Sequence, residues 1–371
     1  MKRLLEIDIF RGLLLVIMVI NHTPTPLRNL TTQPLGFVSA AEAFVFVSAC
    51  LCGLIFSRKF TSSGLLELKL LALRRVRQIY LGHLLTLLFC FAVIGQVLGQ
   101  QPPFYNMIHP YVDRPTPAAL SALLLLYQPP LLDILPMYLV FLLLTPLVIS
   151  ASSRAGWLPL MTASLLVWLV AQYGLKEWLM GSLTGGWLVV DPGAFNLFSW
   201  QLLWMGGLWL GHLFHRSQGR ATLTLPRTLW PVLAGLALFF FCWRWPWIPV
   251  AIDLGSHDWL LDKWRLGPLR LLNFLALLYL MLWLGPYLAR TIGWLKPLAL
   301  LGRNLLPLFC LHVCCSLLAT GFIEWYELPD AWCYLILTLH LALILCLSLL
   351  LDRLSGNQRS GATAAAPPLY G

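Results

Sequence analysis

Long apolar runs separated by short polar or Pro/Gly-rich breaks set the pattern of this chain. A helix that crosses a bilayer needs about 20 mostly apolar residues. On that rule the sequence predicts ten such helices, at roughly 8–27, 36–57, 76–99, 131–151, 157–175, 197–215, 229–249, 269–289, 302–322 and 331–351. The run 118–128 (AALSALLLLYQ) is too short to cross and stops at Pro129-Pro130, so it is expected to be re-entrant or interfacial. The stretch 179–190, with its glycines and Trp187, is expected at the interface as well. The predicted fold class is all-α: a polytopic membrane protein of about ten transmembrane helices. Residues 1–354 read as one integral-membrane domain, and 355–371 (SGNQRSGATAAAPPLYG) as a disordered tail.

Charge adds an orientation. With the N-terminus in the cytoplasm, seventeen Lys and Arg fall on the inner side, among them Lys2, Arg3, Arg74, Arg75, Arg77, Arg220 and Arg303. Six fall outside: Arg28, Arg114, Lys176, Lys263, Arg265 and Arg270. Cytoplasmic loops carry the basic excess, so the helix count and the orientation support each other. The net charge of +10 is then an insertion signal, and no nucleic-acid partner is expected. Charged residues make up 11% of the chain, against about 25% in soluble domains, and mean hydropathy is +0.78. The bilayer is the expected surroundings. The nine cysteines lie mostly in apolar stretches, and neither Cys50-Leu51-Cys52 nor Cys314-Cys315 has zinc-type spacing. No metal and no disulfide framework are expected. Nor is a cleavable signal peptide, because the first apolar run lacks an Ala-x-Ala-like site and many more spans follow.

The ionisable residues inside apolar runs are the candidates for chemistry. Charged side chains at membrane depth are costly and usually face a bundle interior or a wet cavity. His22 follows the run Leu13–Ile20 and precedes Thr23-Pro24; Glu42 lies in the next run. An imidazole and a carboxylate on adjacent apolar segments are the parts of a general base and its orienter. The plainer alternative for His22 is a core histidine bonded to a neighbouring helix. About 16 Å of helix separates Arg11 from His22, at 1.5 Å per residue, which places His22 toward the outer face. Asp8 and Arg11 share a helix face and can pair. Alternatively, Arg11 with Arg74, Arg75 and Arg77 surrounds an anionic donor, since guanidinium forks suit phosphate. Positive-inside placement explains the Arg run equally well. Arg270, one turn inside an apolar helix and just after Lys263, needs a partner or an anionic ligand. Asn196, Trp200 and Gln201 bring amide and indole donors to the outer start of a span, either to bind sugar hydroxyls or to cap helices. His312 falls mid-span and is either core or site. There is no Walker A loop, Gly-x-Ser-x-Gly elbow, His-Glu-x-x-His or dinucleotide fingerprint.

Taken together, Asp8-Ile9-Phe10-Arg11-Gly12, His22 and the stretch from Gly36 through Glu42 to Ser48 resemble the OpgC family. The likeness continues at Leu135-Pro136-Met137-Tyr138, Phe195-Asn196, Trp200-Gln201, Asp262-Lys263 through Arg270, and Leu301-Gly302-Arg303-Asn304 with His312. It covers roughly 5–350; Ala49 after Ser48, and Asn304, depart from the family pattern. OpgC proteins are succinyltransferases of osmoregulated periplasmic glucans, within the transmembrane acyltransferase group. The resemblance implies a multi-pass protein of the bacterial inner membrane that moves an acyl group from cytoplasmic acyl-CoA, succinyl-CoA first, to a glucan hydroxyl outside. The reading of the residues agrees with it: His22 is the expected base with Glu42 as its orienter, the cations Arg11, Arg74, Arg75 and Arg77 are expected at the CoA phosphates, and Asn196, Trp200, Gln201, Lys263, Arg270 and His312 are expected at the acceptor and the acyl carboxylate. No permanently bound cofactor is implied, and the oligomeric state is left open.

Two other classes compete. A transporter or flippase of a glycan or lipid-linked sugar would use the same buried charges, but no internal repeat of the kind common in transporters is evident. A structural envelope component has little reason to bear the cost of burying His22, Glu42 and Arg270.

Overall fold

The computed structural model describes residues 5–183, 186–217, 226–245, 252–291 and 295–364. Lys2, Arg3, Arg220, residues 184–185 of the expected interfacial stretch and 365–371 of the expected tail lie outside them. The described residues are built from helices.

Helix α1 (Leu5–His22) stops where Thr23-Pro24 withdraws the next backbone donor. A short turn, α2 (Arg28–Thr31), is tied to it by the Thr31 hydroxyl, which donates to the Asn21 carboxamide at 2.6 Å. Helix α3 (Ala40–Phe89) runs on into a π-helical turn, Cys90–Leu98. It absorbs two predicted spans, 36–57 and 76–99. Gly64 breaks it with φ 76°, a backbone conformation that glycine adopts without penalty. Helices α4 (Pro102–Asp113) and α5 (Pro115–Leu123) follow, each opened by prolines. α5 accounts for part of the short run 118–128; the rest is an irregular segment.

Helix α6 (Ile134–Ala155) leads to α7 (Leu158–Gln172) and α8 (Leu175–Gly181), which meet at a 70° bend where Gly174 takes φ 87°. Then come α9 (Leu197–Arg216), α10 (Trp230–Arg244), a 3-10 turn at Gly255–Leu261, α11 (Pro268–Thr291), α12 (Lys296–Arg303), α13 (Leu305–Trp325) and α14 (Asp330–Ala364).

Among the described residues five helices are long and apolar enough to cross a membrane, or six if α7 and α8 form one bent span. The protein is thus multi-pass. Each of the ten predicted segments overlaps a helix, but not every helix meets the length and hydropathy requirement. α10, with 15 residues, extends about 22 Å, short of a hydrocarbon core of about 30 Å. The outward leucines of α14, such as Leu339 and Leu343, form the apolar exterior that lipid requires.

Small residues let the helices that carry the site pack backbone to backbone. α3 packs on α9 through Gly207 and Gly211, where any Cβ would collide with the carbonyls of Phe46 and Cys50. α1 packs on α12 through Gly12 and Gly302 in the same way, against the carbonyls of Leu298 and Asp8. The core sits between α1, α3, α6, α9 and α13, around Leu15, Val19, Val45, Leu142, Leu208 and Leu308.

Candidate functional site

A cavity of about 630 Å³ opens among α1, α3, α4, α6 and the irregular segments 124–133 and 189–195. His22, Asn21, Asp133 and Lys263 line it. His22 reaches it because α1 ends there, one residue before Thr23-Pro24. Its Nδ1 lies 3.0 Å from Nε2 of His312 on α13. His312 is fully buried, its Nδ1 lies 3.2 Å from the Ser316 hydroxyl, and its ring stacks on His340 at 5.3 Å. The Thr320 hydroxyl donates to the His22 carbonyl at 3.4 Å, a second link from α13. α13, distant in sequence, therefore holds both the end of α1 and the imidazole it carries.

Glu42 has other partners. One oxygen accepts from the Ser39 backbone N–H at 3.1 Å and from the Ser39 hydroxyl, closing the N-terminus of α3. The other accepts from Nε of Arg270, and both side chains are almost completely buried. This corrects the sequence expectation for Glu42: His312, not Glu42, touches the His22 ring. The physical reason is charge. A buried guanidinium demands a counter-ion, and Glu42 is the carboxylate that Arg270 meets. Arg270, expected to face substrate, is spent on this pair and is absent from the cavity wall.

Lys263 does face the cavity, with its ammonium 4.6 Å from the centre of the Trp264 ring and 5.8 Å from that of Phe195. Among the described residues no carboxylate lies within ion-pair distance of it. Burial pushes its ammonium below the usual lysine value, and Arg270 adds to this, while Glu42 and Asp133 oppose it. Asp133 precedes α6 and accepts from the Ala194 N–H at 3.0 Å. Burial raises its carboxyl above the ordinary range, against the lowering effect of that bond.

The three expected sugar-binding residues are placed elsewhere. Asn196 caps α9, its Oδ1 accepting from the N–H groups of Phe198 and Ser199 at 3.0 and 3.2 Å. Trp200 donates from Nε1 to the Trp264 carbonyl at 3.1 Å and is fully buried. Gln201 exchanges hydrogen bonds with Ser164 on α7, at 2.6 and 2.7 Å. None of the three lines the cavity. Buried amide and indole groups must be satisfied: Gln201 ties α9 to α7, while the Trp200 indole and the Asn196 backbone N–H, both donating to the Trp264 carbonyl, hold the loop that presents Lys263.

On the other side of the bundle a narrow pocket of about 40 Å³ is lined by Arg11, Arg75, Tyr138, Phe44 and Phe309, among others. Arg11 approaches Asp8 at 4.0 Å. Arg75 donates to Gln78 at 3.2 Å. Arg74 and Arg77 are exposed and do not enter the pocket, because successive residues of a helix point in different directions. The expected four-arginine cluster is thus a pair.

Sequence reasoning did not single out Tyr127 and Gln128, which line the cavity yet have side-chain polar atoms without partners. Their segment is held by mutual bonds with Asp191, Gln128 N to Asp191 O and Asp191 N to Leu126 O, both 2.8 Å. Leu125 and Leu131 flank it at φ 62° and 66°, conformations that cost a leucine about 1–3 kcal/mol and persist only under outside constraint. The one hint in the sequence is Pro129-Pro130 directly after an apolar run. Among the described residues no group of three or more His, Cys, Asp or Glu is arranged to hold a metal.

The family model for OpgC protein matches residues 3–355, nearly the whole chain. The chain belongs to the OpgC protein family. No curated protein and no solved structure matches it. Membership and the apolar helices together point to a membrane acyltransferase-type protein.

Proposed function

We propose that this protein is an integral-membrane O-acyltransferase that moves a succinyl group from cytoplasmic succinyl-CoA to a hydroxyl of an extracytoplasmic glucan. In this reading it crosses the bacterial inner membrane ten times with its N-terminus inside. The observation that carries the proposal is the orientation of His22 at the wall of a 630 Å³ cavity, by a ring nitrogen bonded to a second buried imidazole.

The mechanism needs one assignment of protons, which both contacts accommodate. His22 donates from Nδ1–H to Nε2 of His312, and His312 donates from Nδ1–H to Ser316. That leaves Nε2 of His22 as the lone-pair nitrogen, free to take a proton. The hydroxyl oxygen attacks the thioester carbonyl as His22 removes its proton. The C–O bond forms, the C–S bond breaks, and the proton passes from His22 to the departing thiolate, giving the ester and free CoA. His312 positions His22 and shares the charge of its imidazolium. Arg11 and Arg75 meet the anionic donor from the inner side. Lys263 holds the free carboxylate of the acyl group, since Arg270 is committed to Glu42. No permanently bound cofactor takes part.

The test is mass spectrometry of glucans from cells carrying the intact gene, a deletion, His22→Ala or His312→Gln, with the membrane abundance of each variant measured in parallel. Succinyl transfer adds about 100 Da per ester and acetyl transfer about 42 Da, as transfer of the corresponding acyl groups requires. The increment is expected to vanish with His22→Ala. It should persist at a lower rate with His312→Gln, whose amide oxygen can still accept from His22. Full transfer by an abundant His22→Ala protein sinks the mechanism. Unchanged masses with relocated glucan would favour a transporter.

A further inference from the structure

A donor that starts inside and an acceptor that sits outside must meet, yet the structure separates their two pockets. The linings follow one another along the same helices. On α1 the inner pocket takes Arg11 and the outer cavity takes Met18 and His22; on α3 they take Phe44 and Ala41; on α6, Leu135 and Ile134. Phe309 on α13 is the side chain common to both linings. Its ring stacks on Phe44 at 6.1 Å with an interplanar angle of 19°, and meets His312 edge-on at 6.1 Å. Both phenylalanines are buried. The wall between the compartments is therefore an aromatic pair, one turn of helix away from the imidazole that holds His22.

We propose that Phe309, stacked on Phe44, is the partition between donor passage and acceptor cavity, and that its bulk sets the largest acyl group transferred. This rests on the acyltransferase reading above. The pair is apolar and makes no hydrogen bond, so a rotation of Phe309 breaks only packing contacts, which are individually small. Moving it joins the pockets and lets the acyl thioester advance from Arg11 and Arg75 to His22. Returning it closes the route behind the leaving thiol and keeps the bilayer sealed between turnovers. The contact with His312 couples the position of the partition to the ring that orients the base.

The experiment uses the full-length protein in sealed inside-out vesicles, with a glucan acceptor and acetyl-, succinyl- or adipoyl-CoA. Wild type is compared with Phe309→Leu, Phe309→Ala and Phe309→Trp. Trimming the ring should raise adipoyl transfer relative to succinyl transfer by about tenfold or more, the discrimination a hydrophobic pocket exerts per methylene. Phe309→Trp should slow every donor. A donor ranking that is the same in all variants overturns the partition. If the Ala and Trp variants do not accumulate in the membrane, Phe309→Leu, which keeps an apolar side chain of similar reach, decides in the same way.

A second readout does not depend on acyl transfer. Ala41→Cys places a thiol in the outer cavity, and an impermeant maleimide added to the cytoplasmic face reports whether it is reachable, with the labelled site read by peptide mass spectrometry. Labelling should be weak with Phe309 intact and strong with Phe309→Ala. Equal labelling overturns the partition. If wild type transfers no acyl group from any donor, the functional reading fails, while the labelling result still decides the partition.

Discussion

Glu42 and Arg270 are a stability device close to the site. Removing one partner strands a charge in a low-dielectric interior, which costs about 3–5 kcal/mol, whereas replacing both with apolar groups of similar size is often neutral. Arg270→Met is therefore expected to lower the melting temperature of the solubilised protein sharply, and Glu42→Leu with Arg270→Met to recover most of the loss. If the double variant is no more stable than the single ones, the pair is not what holds α3 to α11. Lys263 makes the opposite case, an ammonium with aromatic neighbours and no counter-ion within reach among the described residues. Burial lowers it from its ordinary value of 10.5, so it loses its charge at a lower pH than an exposed lysine does. The sign follows directly: below that pH the ammonium binds the acyl carboxylate, and above it the attraction is gone. The KM for succinyl-CoA should rise on the alkaline side, whereas that for acetyl-CoA should stay flat. Lys263→Gln should remove the difference; parallel pH profiles for both donors in the wild type would discard the carboxylate assignment.

The helices position these groups through close approach rather than through side-chain bulk. α1 delivers both Arg11 and His22, and its angle is set where Gly12 and Gly302 admit the carbonyls of the opposing helix. Overpacking a tight contact costs about 1–3 kcal/mol. Gly302→Val is expected to destabilise the protein by that amount and to reduce transfer by tilting His22. Gly285→Val, where a new Cβ meets open space, should change neither; thermal melts and turnover of the two variants check this. That the apolar runs form helices was legible, because the need for an apolar exterior writes itself along a run; of the ten predicted crossings, five helices, or six with the bent pair α7 and α8, meet the length and hydropathy requirement among the described residues. The join of two predicted spans into α3 was less legible, since Gly64 alone marks the break and its φ is a property of the folded backbone. The end of α1 at His22 was readable from Pro24, because proline acts locally.

For the protein in its membrane, the proposed orientation puts the exposed Arg74 and Arg77 inside and the 3-10 turn at Gly255–Leu261 outside. A cysteine at Ser62 should react with an impermeant thiol reagent only from the cytoplasmic face, and one at Asp258 only from the periplasmic face, against a background free of other reactive cysteines. The reverse pattern would remove the donor assignment of Arg11 and Arg75 along with the orientation. Composition and apolar run length were enough to establish a helical, multi-pass protein, and the residues from Asp8 to His312 were enough to establish its family. Both follow from one-dimensional constraints, the thickness of lipid and the spacing of motifs. Which buried groups touch was beyond that reach. His22 pairs with His312, 290 positions away, Glu42 with Arg270, 228 away, while away from the cavity Asn196 caps α9, Trp200 holds the loop at Trp264 and Gln201 ties α9 to α7. Buried polar groups take whatever partner the packed helices bring within reach, and that choice is made in three dimensions.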